Sequence, residues 1–253
     1  MPLDHRVFHS LLASAARQGC AHFVLVDPDR TSPERAADIA GECTLAGTDA
    51  LLFGSSTPLE RDPAPVLRAL RSRFEGPLVL FPGNAGQVRP DVDAVLFLSL
   101  LSGRDARFLV DEQVAAAPRL LAAGVESIAT AYILVGSETG GSVARVTGTK
   151  PLPAAPASIV VAHAQAAACL GFALVYLEAG SGAASPVPAS LVREVADATP
   201  TPVVVGGGIR RPGQAAALAA AGARFIVTGT AHEERDPVAP FTEAIHQPVP
   251  ALP

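Results

Sequence analysis

Short, nearly continuous apolar runs recur along the chain and alternate with longer segments of helical periodicity. Each run is four to seven residues long and lacks strict alternation of apolar and polar positions. That pattern is typical of strands that are buried on both faces of a parallel sheet. The predicted strands cover residues 22–26, 50–53, 78–81, 94–98, 127–133, 173–177, 202–205 and 224–227.

The segments between these runs are rich in Ala, Leu and Arg and repeat their apolar positions at helical spacing. Pro33 and Pro212 each stand at a predicted first helical position, where a proline is well tolerated. The predicted helices cover residues 32–46, 63–74, 108–122, 154–170, 188–198 and 212–221.

Strand and helix alternate about eight times in 253 residues, and no linker or shift in composition divides the chain. This order predicts one α/β domain over residues 1–253 with the fold of a TIM (β/α)₈ barrel. One barrel helix is expected to be irregular or missing near residues 82–93 or 99–108, because no full helical pattern fits there.

A spacing of seven residues between a helix-ending glycine and a residue beyond the next strand occurs four times. A C-cap glycine, a short turn and one strand account for this spacing. The second residue of each pair should then lie at the C-terminal mouth of the barrel, where active sites of this fold are found. Accidental register in a chain rich in Gly and Ala is the alternative. The pairs are Gly47 with Gly54, Gly124 with Ala131, Gly171 with Glu178, and Gly222 with Gly229.

Composition excludes several classes of protein. A hydrophobic content of 49% excludes intrinsic disorder, and a net charge of −5 disfavours a nucleic-acid partner. The three cysteines form no disulfide framework or zinc pattern, so we expect a reducing compartment and a cytoplasmic location. We expect no signal peptide and no transmembrane segment. The uncharged stretch 151–177 is interpreted as a buried helix and a buried strand separated at Gly171.

The first candidate site follows the first predicted strand. Asp27 comes directly after that strand, and a carboxylate there can hold Mg²⁺ together with substrate phosphates. Helix capping by Asp29 or Ser32 is the alternative reading of this segment. The hydroxyls of residues 55–57 follow Gly54 and are suited either to phosphate or metal-bound water or to capping the next helix.

Glu178 is the second candidate, because it ends a strand that is otherwise apolar. A buried carboxylate is costly unless it is paired or functional, and a structural ion pair is the alternative. Gly180 and Gly182 follow it in a Gly-x-Gly pattern that lets backbone N–H groups approach an anion. Tyr132, placed at the end of the fifth predicted strand, is expected either to line a pocket or to fill the barrel mouth.

Glycine-rich loops follow the seventh and eighth predicted strands. Residues 206–208 are three consecutive glycines, and Gly229 with Thr230 follows the eighth strand. Loops at these two places frequently form the phosphate site of a TIM barrel. Arg210 is suited to a charge-assisted contact with an anion or to solvating the rim. Lys150 could equally neutralise a diphosphate or be an ordinary loop lysine.

Taken in order, seven segments resemble the geranylgeranylglyceryl phosphate synthase family, which includes the PcrB prenyltransferases. They are VDPDR at 26–30, GTDA at 47–50 leading to GSS at 54–56, FPG at 81–83, YLEAGSG at 176–182, GGGIR at 206–210 and TGT at 228–230. The chain has Arg30 where the family often has Lys, and Thr230 where many members have Asn.

The resemblance implies a TIM barrel that joins a prenyl diphosphate, with geranylgeranyl expected, to sn-glycerol 1-phosphate. The reaction forms an ether bond and releases diphosphate with the help of Mg²⁺. The resemblance implies that Asp27 and Ser56 bind the metal, and Glu178 and Asp27 are expected to be the catalytic residues. The implied contacts to glycerol phosphate are Tyr176, Leu177, Glu178, Ala179, Gly180, Ser181, Gly182, Gly206, Gly207, Gly229 and Thr230.

The implied partners are small-molecule substrates and further copies of the chain in a homo-oligomer, with peripheral membrane association through the lipid product. We hypothesise that Glu178 takes the proton of the attacking glycerol hydroxyl as a general base. Two alternatives stay open. One is a phosphosugar isomerase in which Asp27 is paired with another carboxylate such as Glu138, or another phosphate-binding barrel enzyme. The other is a non-catalytic protein that binds phosphorylated or lipid ligands.

Overall fold

Eight parallel strands close into a barrel in chain order, which confirms the predicted TIM barrel. The computed structural model describes residues 5–136 and 141–246. The strands are β1 Ala21–Val26, β2 Ala50–Phe53, β3 Leu78–Leu80, β4 Ala94–Leu100, β5 Glu126–Leu134, β6 Leu174–Glu178, β7 Val203–Gly206 and β8 Phe225–Thr228.

The helices lie around this barrel and include all six predicted from the sequence. Four further helices, α1, α5, α9 and α10, were not predicted; α5 and α9 have only six and four residues, too few to show a period. The helices are α1 Arg6–Gln18, α2 Pro33–Ala46, α3 Ala64–Arg71, α4 Glu112–Ala123, α5 Ser142–Thr147, α6 Ser158–Cys169, α7 Ala189–Ala198, α8 Pro212–Ala220, α9 Thr230–Glu233 and α10 Ala239–Ile245.

The connection between β3 and β4 is the irregular one. It contains only a 3₁₀ turn, Ala85–Gln87, where a barrel helix would be expected. The Asn84 side chain accepts a hydrogen bond from the Gly86 amide at 2.8 Å and so supports a turn instead of a helix. After β4, a π-helical turn, Arg107–Asp111, leads into α4. The predicted irregularity near 82–93 is thus confirmed, and it leaves the side of the barrel between β4 and α4 partly uncovered.

The two faces of each strand pack into different layers. Phe23, Leu96, Tyr176 and Phe225 point into the barrel and form its inner core. Alternate residues point outward against the helices, since successive side chains of a strand lie on opposite faces. At the N-terminal end, the Glu126 carboxylate accepts the first amides of α1 at 2.8 Å and so fastens this helix near the base.

Helix-ending glycines predict the position of the barrel mouth correctly in three of the four pairs. Gly54, Glu178 and Gly229 lie at or directly after the ends of β2, β6 and β8. The prediction is wrong for Ala131, because β5 continues for three more residues to Leu134 and buries Ala131 among the helices. The uncharged stretch 151–177 contains α6 and most of β6, as predicted. Among the described residues, no helix is long and apolar enough to cross a membrane.

Candidate active site

Two connected clefts open at the C-terminal mouth of the barrel. The glycine-loop cleft lies over β6, β7 and β8 and has about 570 Å³ of empty volume. The apolar cleft runs from the end of β1 to α4 and has about 1080 Å³, part of it open to solvent. Because β1, β2, β6, β7 and β8 all end here, the fold brings the predicted site residues to one rim.

The glycine-loop cleft contains seven of the eleven residues implied for glycerol phosphate, namely Tyr176, Glu178, Ser181, Gly182, Gly207, Gly229 and Thr230. The other four do not line it. Leu177 points outward into the helix layer, opposite to Tyr176 and Glu178, and Ala179 packs against the same layer. Gly180 and Gly206 lie behind the cleft surface, where they contact Glu178 and Tyr176.

Glu178 is a buried carboxylate whose hydrogen-bond partners are neutral. Its Oε1 accepts the Gly180 amide at 2.7 Å, and the hydroxyls of Tyr132 and Tyr176 also bond to the carboxylate. Burial raises the pKa of Glu178 to about 7, and these three hydrogen bonds oppose the rise. A carboxyl group with a pKa near neutrality is suited to proton transfer. These neutral partners do not support the structural ion pair that the sequence left open.

Tyr132 was predicted at the end of its strand but lies two residues before the end of β5. Its side chain points into the barrel and lines both clefts. The rings of Phe81, Tyr132 and Tyr176 form a cluster with centroid distances of 5.1–5.8 Å. This aromatic cluster therefore lies where the two clefts meet, next to Glu178.

The three consecutive glycines after β7 permit a close approach to the chain itself. A Cβ atom on Gly206 would overlap the Tyr176 hydroxyl, and one on Gly207 would overlap Oε1 of Glu178. Gly208 meets the Ser185 carbonyl in the same way. The sequence suggested that these glycines let the backbone approach an anion. The structure shows that they let the end of β7 and the loop after it pack closely against β6 and the loop after β6.

Replacing Gly207 by alanine should therefore damage the site. The new Cβ would press on Glu178, and the φ of +81° is unfavourable for any residue with a side chain. We expect a loss of more than about 1 kcal/mol in stability and at least a tenfold loss of turnover. Gly213→Ala is the control, since a Cβ there meets nothing within 4 Å. Thermal unfolding and turnover of both variants test this; equal behaviour would contradict the packing role.

Asp27 is held at the end of β1 by two hydrogen bonds. Its Oδ1 accepts the Asp29 amide and its Oδ2 accepts the Ser55 hydroxyl, both at 3.0 Å. Burial raises the pKa of Asp27, and the two hydrogen bonds oppose the rise. Capping of α2 is done by Ser32, which accepts the Arg35 amide at 3.2 Å. The predicted capping by Ser32 is thus confirmed, and the Asp27 carboxylate takes no part in it.

The donor groups around Asp27 fit a magnesium ion. Ser56, predicted as a ligand, lines both clefts, although the hydroxyl bonded to Asp27 is that of Ser55. Glu233 lines the apolar cleft together with Asp27, and its carboxylate lies 3.6 Å from Arg30. Within residues 5–136 and 141–246, no three His, Cys, Asp or Glu side chains form a metal cage. Mg²⁺ needs only one or two carboxylates, with water and phosphate as its other ligands.

The apolar cleft extends away from these polar groups through the uncovered side of the barrel. Phe97 and Val95 line it from the outer face of β4, and Ala116 and Leu120 line it from α4. The missing helix between β3 and β4 makes this space available. Its wall away from the mouth is suited to a long uncharged chain.

Of the remaining predicted residues, Arg210 lines a cleft and Lys150 does not. Arg210 lines the glycine-loop cleft, and its guanidinium is 3.1 Å from the Glu234 carboxylate. Lys150 is exposed and lines neither cleft, which favours an ordinary loop lysine over a residue that neutralises a diphosphate. Glu138, the alternative acid/base partner of Asp27, lies outside the described residues.

The fold and these clefts define a (β/α)₈-barrel enzyme site with glycine-rich loops, a buried carboxylate of raised pKa and an adjoining apolar cleft. The model of the PcrB family matches residues 14–247. The chain belongs to the PcrB family, as the sequence motifs indicated.

Curated relatives cover most of this chain. A geranylgeranylglyceryl phosphate synthase of Thermofilum pendens is 42% identical over 91% of this chain and 90% of its own length. One of Methanopyrus kandleri is 43% identical over 88% and 93%. The crystal structure of (S)-3-O-geranylgeranylglyceryl phosphate synthase from Thermoplasma acidophilum, in complex with sn-glycerol-1-phosphate, matches with a TM-score of 0.88 and 37% identity over 95% of this chain and 98% of that one.

Proposed function

We propose that the protein transfers a prenyl group from a prenyl diphosphate to the free primary hydroxyl of sn-glycerol 1-phosphate. One observation carries the proposal: a polar glycine-loop cleft and a long apolar cleft meet at the aromatic cluster beside Glu178. The first is suited to a small phosphorylated alcohol and the second to a hydrocarbon chain. The relative whose structure holds sn-glycerol-1-phosphate has the same fold and supports this assignment.

Glycerol phosphate is assigned to the glycine-loop cleft. Backbone N–H groups of the cleft-lining residues of three loops would surround the phosphate: Ser181 and Gly182, Gly207 and Gly208, and Gly229 and Thr230. Arg210, held by Glu234 at the rim, adds positive charge. Because backbone groups do most of this work, a net charge of −5 does not count against an anionic substrate.

The diphosphate end of the prenyl donor is assigned to the mouth of the apolar cleft. Asp27 and Ser56 would hold Mg²⁺ there, with Glu233 as a second carboxylate on the same wall. When bound, the metal ion neutralises charge on the departing diphosphate. Arg30, which lines the same cleft, supplies a further cation at this end.

Glu178 is assigned as the general base. The glycerol oxygen forms a bond to C1 of the prenyl chain, the bond from C1 to the diphosphate oxygen breaks, and the hydroxyl proton passes to the Glu178 carboxylate. Tyr132 and Tyr176 hold that carboxylate in place through their hydroxyls. Fixing the two substrates against each other supplies several kcal/mol of barrier lowering.

Transfer of label from radioactive sn-glycerol 1-phosphate into a lipid-soluble product tests this function. We expect product with prenyl diphosphates and Mg²⁺, with geranylgeranyl diphosphate among the accepted donors, and much less product from sn-glycerol 3-phosphate. Isomerisation of a phosphosugar without any prenyl transfer, or ligand binding without turnover, would overturn the proposal. Assembly into a homo-oligomer and a cytoplasmic location stay predictions.

Filling the apolar cleft should shorten the accepted donor. Ala116 is buried on α4 and lines this cleft, so Ala116→Phe should reduce kcat/KM for geranylgeranyl diphosphate by at least tenfold and spare geranyl diphosphate. Ala115→Phe, at the exposed neighbouring position, should leave both unchanged. Donor competition assays measure the ratio. An equal effect on both donors would contradict binding of the prenyl chain in the apolar cleft.

A further inference from the structure

A buried chain of hydrogen bonds lies between β1, β8 and α10 and reaches the glycine-loop cleft at Thr228, one of its lining residues. His22 contacts Thr242 through Nδ1 at 2.8 Å and Thr228 through Nε2 at 2.7 Å. The Thr228 hydroxyl also contacts Nε2 of His232 at 2.8 Å. All four side chains belong to residues that are at most 1% exposed. Nothing in the proposed chemistry uses them directly.

One end of the chain fixes the direction of every hydrogen bond in it. Nδ1 of His232 lies 3.0 Å from the Asp236 carbonyl, which only accepts, so Nδ1 carries the hydrogen. In a neutral ring, Nε2 of His232 is then an acceptor, and Thr228 must donate to it. Because Thr228 has one hydroxyl hydrogen, it accepts from Nε2 of His22. Nδ1 of His22 finally accepts from the Thr242 hydroxyl.

The neutral state of both rings is consistent with their surroundings. Burial lowers the pKa of His22 well below its usual range, and burial is also the main cause that lowers the pKa of His232. If His232 were charged, Nδ1 would still donate to the Asp236 carbonyl, but the bonds from Nε2 onward would reverse, and His22 would carry its hydrogen on Nδ1. The two arrangements therefore differ in the tautomer of one histidine.

His232 is also fixed through its backbone. Its amide donates to the Gly229 carbonyl at 2.9 Å, and its own carbonyl accepts from Nη2 of Arg35 at 2.9 Å. Arg35 is held in turn by Glu42 at 3.0 Å. The segment that carries Gly229 and Thr230 is thus attached to α2 as well as to β1.

We propose that His22, Thr228 and His232 are positioning residues that set the loop after β8, so that Gly229 and Thr230 meet the phosphate of the acceptor substrate. The Thr228 hydroxyl donates away from the cleft and is not left free for the ligand. The identity of that substrate rests on the proposed function. The order of the hydrogen bonds does not depend on it.

The hydrogen-bond order is tested first, on the full-length, ligand-free protein. Nitrogen-15 correlation spectra of the histidine rings distinguish the two neutral tautomers and the charged form. We expect His22 with its hydrogen on Nε2 and His232 with its hydrogen on Nδ1. A hydrogen on Nδ1 of His22, or a charged His232 at neutral pH, would overturn the proposed order.

The positioning role is tested with a matched pair of variants. Thr228→Val keeps the shape and removes the hydroxyl, whereas Thr228→Ser keeps the hydroxyl. We expect Thr228→Val to shift the backbone amide resonances of Gly229 and Thr230 and to raise KM for sn-glycerol 1-phosphate at least tenfold, with a much smaller change in kcat. Thr228→Ser should restore both properties.

The outcomes separate this inference from the proposed function. A merely structural role would lower the melting temperature of Thr228→Val and leave the two amide resonances and KM unchanged, which overturns the inference. If the wild-type protein transferred no prenyl group, the proposed function would fail, and the amide resonances and tautomers would still decide the positioning role.

Discussion

Glu178→Gln is expected to lower turnover by about 10²- to 10⁴-fold, the usual contribution of a general base. The variant keeps the size of the side chain, and its amide oxygen can still accept the Gly180 amide, but it has no carboxylate to receive the hydroxyl proton. KM for sn-glycerol 1-phosphate should change only a few-fold. Glu194→Gln, on the exposed face of α7, is the control and should retain full turnover. Full turnover in Glu178→Gln would exclude Glu178 as the base.

The pH dependence of the wild-type protein follows from the same carboxylate. Burial raises the pKa of Glu178 to about 7, so the base is protonated and idle below neutrality. Turnover should therefore rise with pH through about 7 and then level off. In Glu178→Gln, this step should be absent from the residual rate.

The free energy of unfolding should fall as pH rises, whereas turnover rises. A carboxyl whose pKa is raised on folding binds its proton more tightly in the native state, so stability falls as pH rises from 4.5 to about 7. The shift from 4.5 to about 7 corresponds to about 3 kcal/mol. Glu178→Gln should therefore unfold at higher denaturant concentration than the wild type at pH 8, with the difference fading near pH 4.

Asp27→Asn is expected to reduce turnover at least about 100-fold, since the loss of about 3 kcal/mol of charge stabilisation at the departing diphosphate has that effect. The amide keeps the shape and the bond from the Asp29 amide but removes the negative oxygen at the mouth of the apolar cleft. The apparent affinity for Mg²⁺ should fall, measured both by titration of turnover and by direct binding of Mn²⁺.

Asp29→Asn is the matched control. The Asp29 carboxylate accepts the amides of Glu60 and Arg61 at 3.1–3.2 Å and fastens a loop, and asparagine can still accept one of them. It should retain turnover within a few-fold and the wild-type dependence on Mg²⁺. An unchanged Mg²⁺ dependence in Asp27→Asn would contradict the assignment of Asp27.

Much of the barrel could be predicted because buried parallel strands leave an apolar run in the sequence. The limits arise where local pattern and tertiary packing differ. β5 runs on to Leu134 because its end pairs with β6 as far as Glu178. α9 has four residues, and nothing in so short a segment predicts a helix.

The site was predictable where a special residue ends a strand. Glu178 and Asp27 stand out because carboxylates follow apolar runs at these points. Glu233 was missed, since only the closure of the barrel brings α9 next to the end of β1. The direction of the hydrogen bonds around His22 depends on residues more than 200 positions away, and no local pattern records it.

The origin of the ether oxygen tests the central claim most directly. The wild-type protein is incubated with geranylgeranyl diphosphate, Mg²⁺ and sn-glycerol 1-phosphate that carries ¹⁸O in its free primary hydroxyl, and the products are analysed by mass spectrometry. We predict that the label lies in the ether oxygen of the prenylated product and that the released diphosphate carries none. Label bound to phosphorus, or no prenylated product at all, would contradict prenyl transfer between the two clefts.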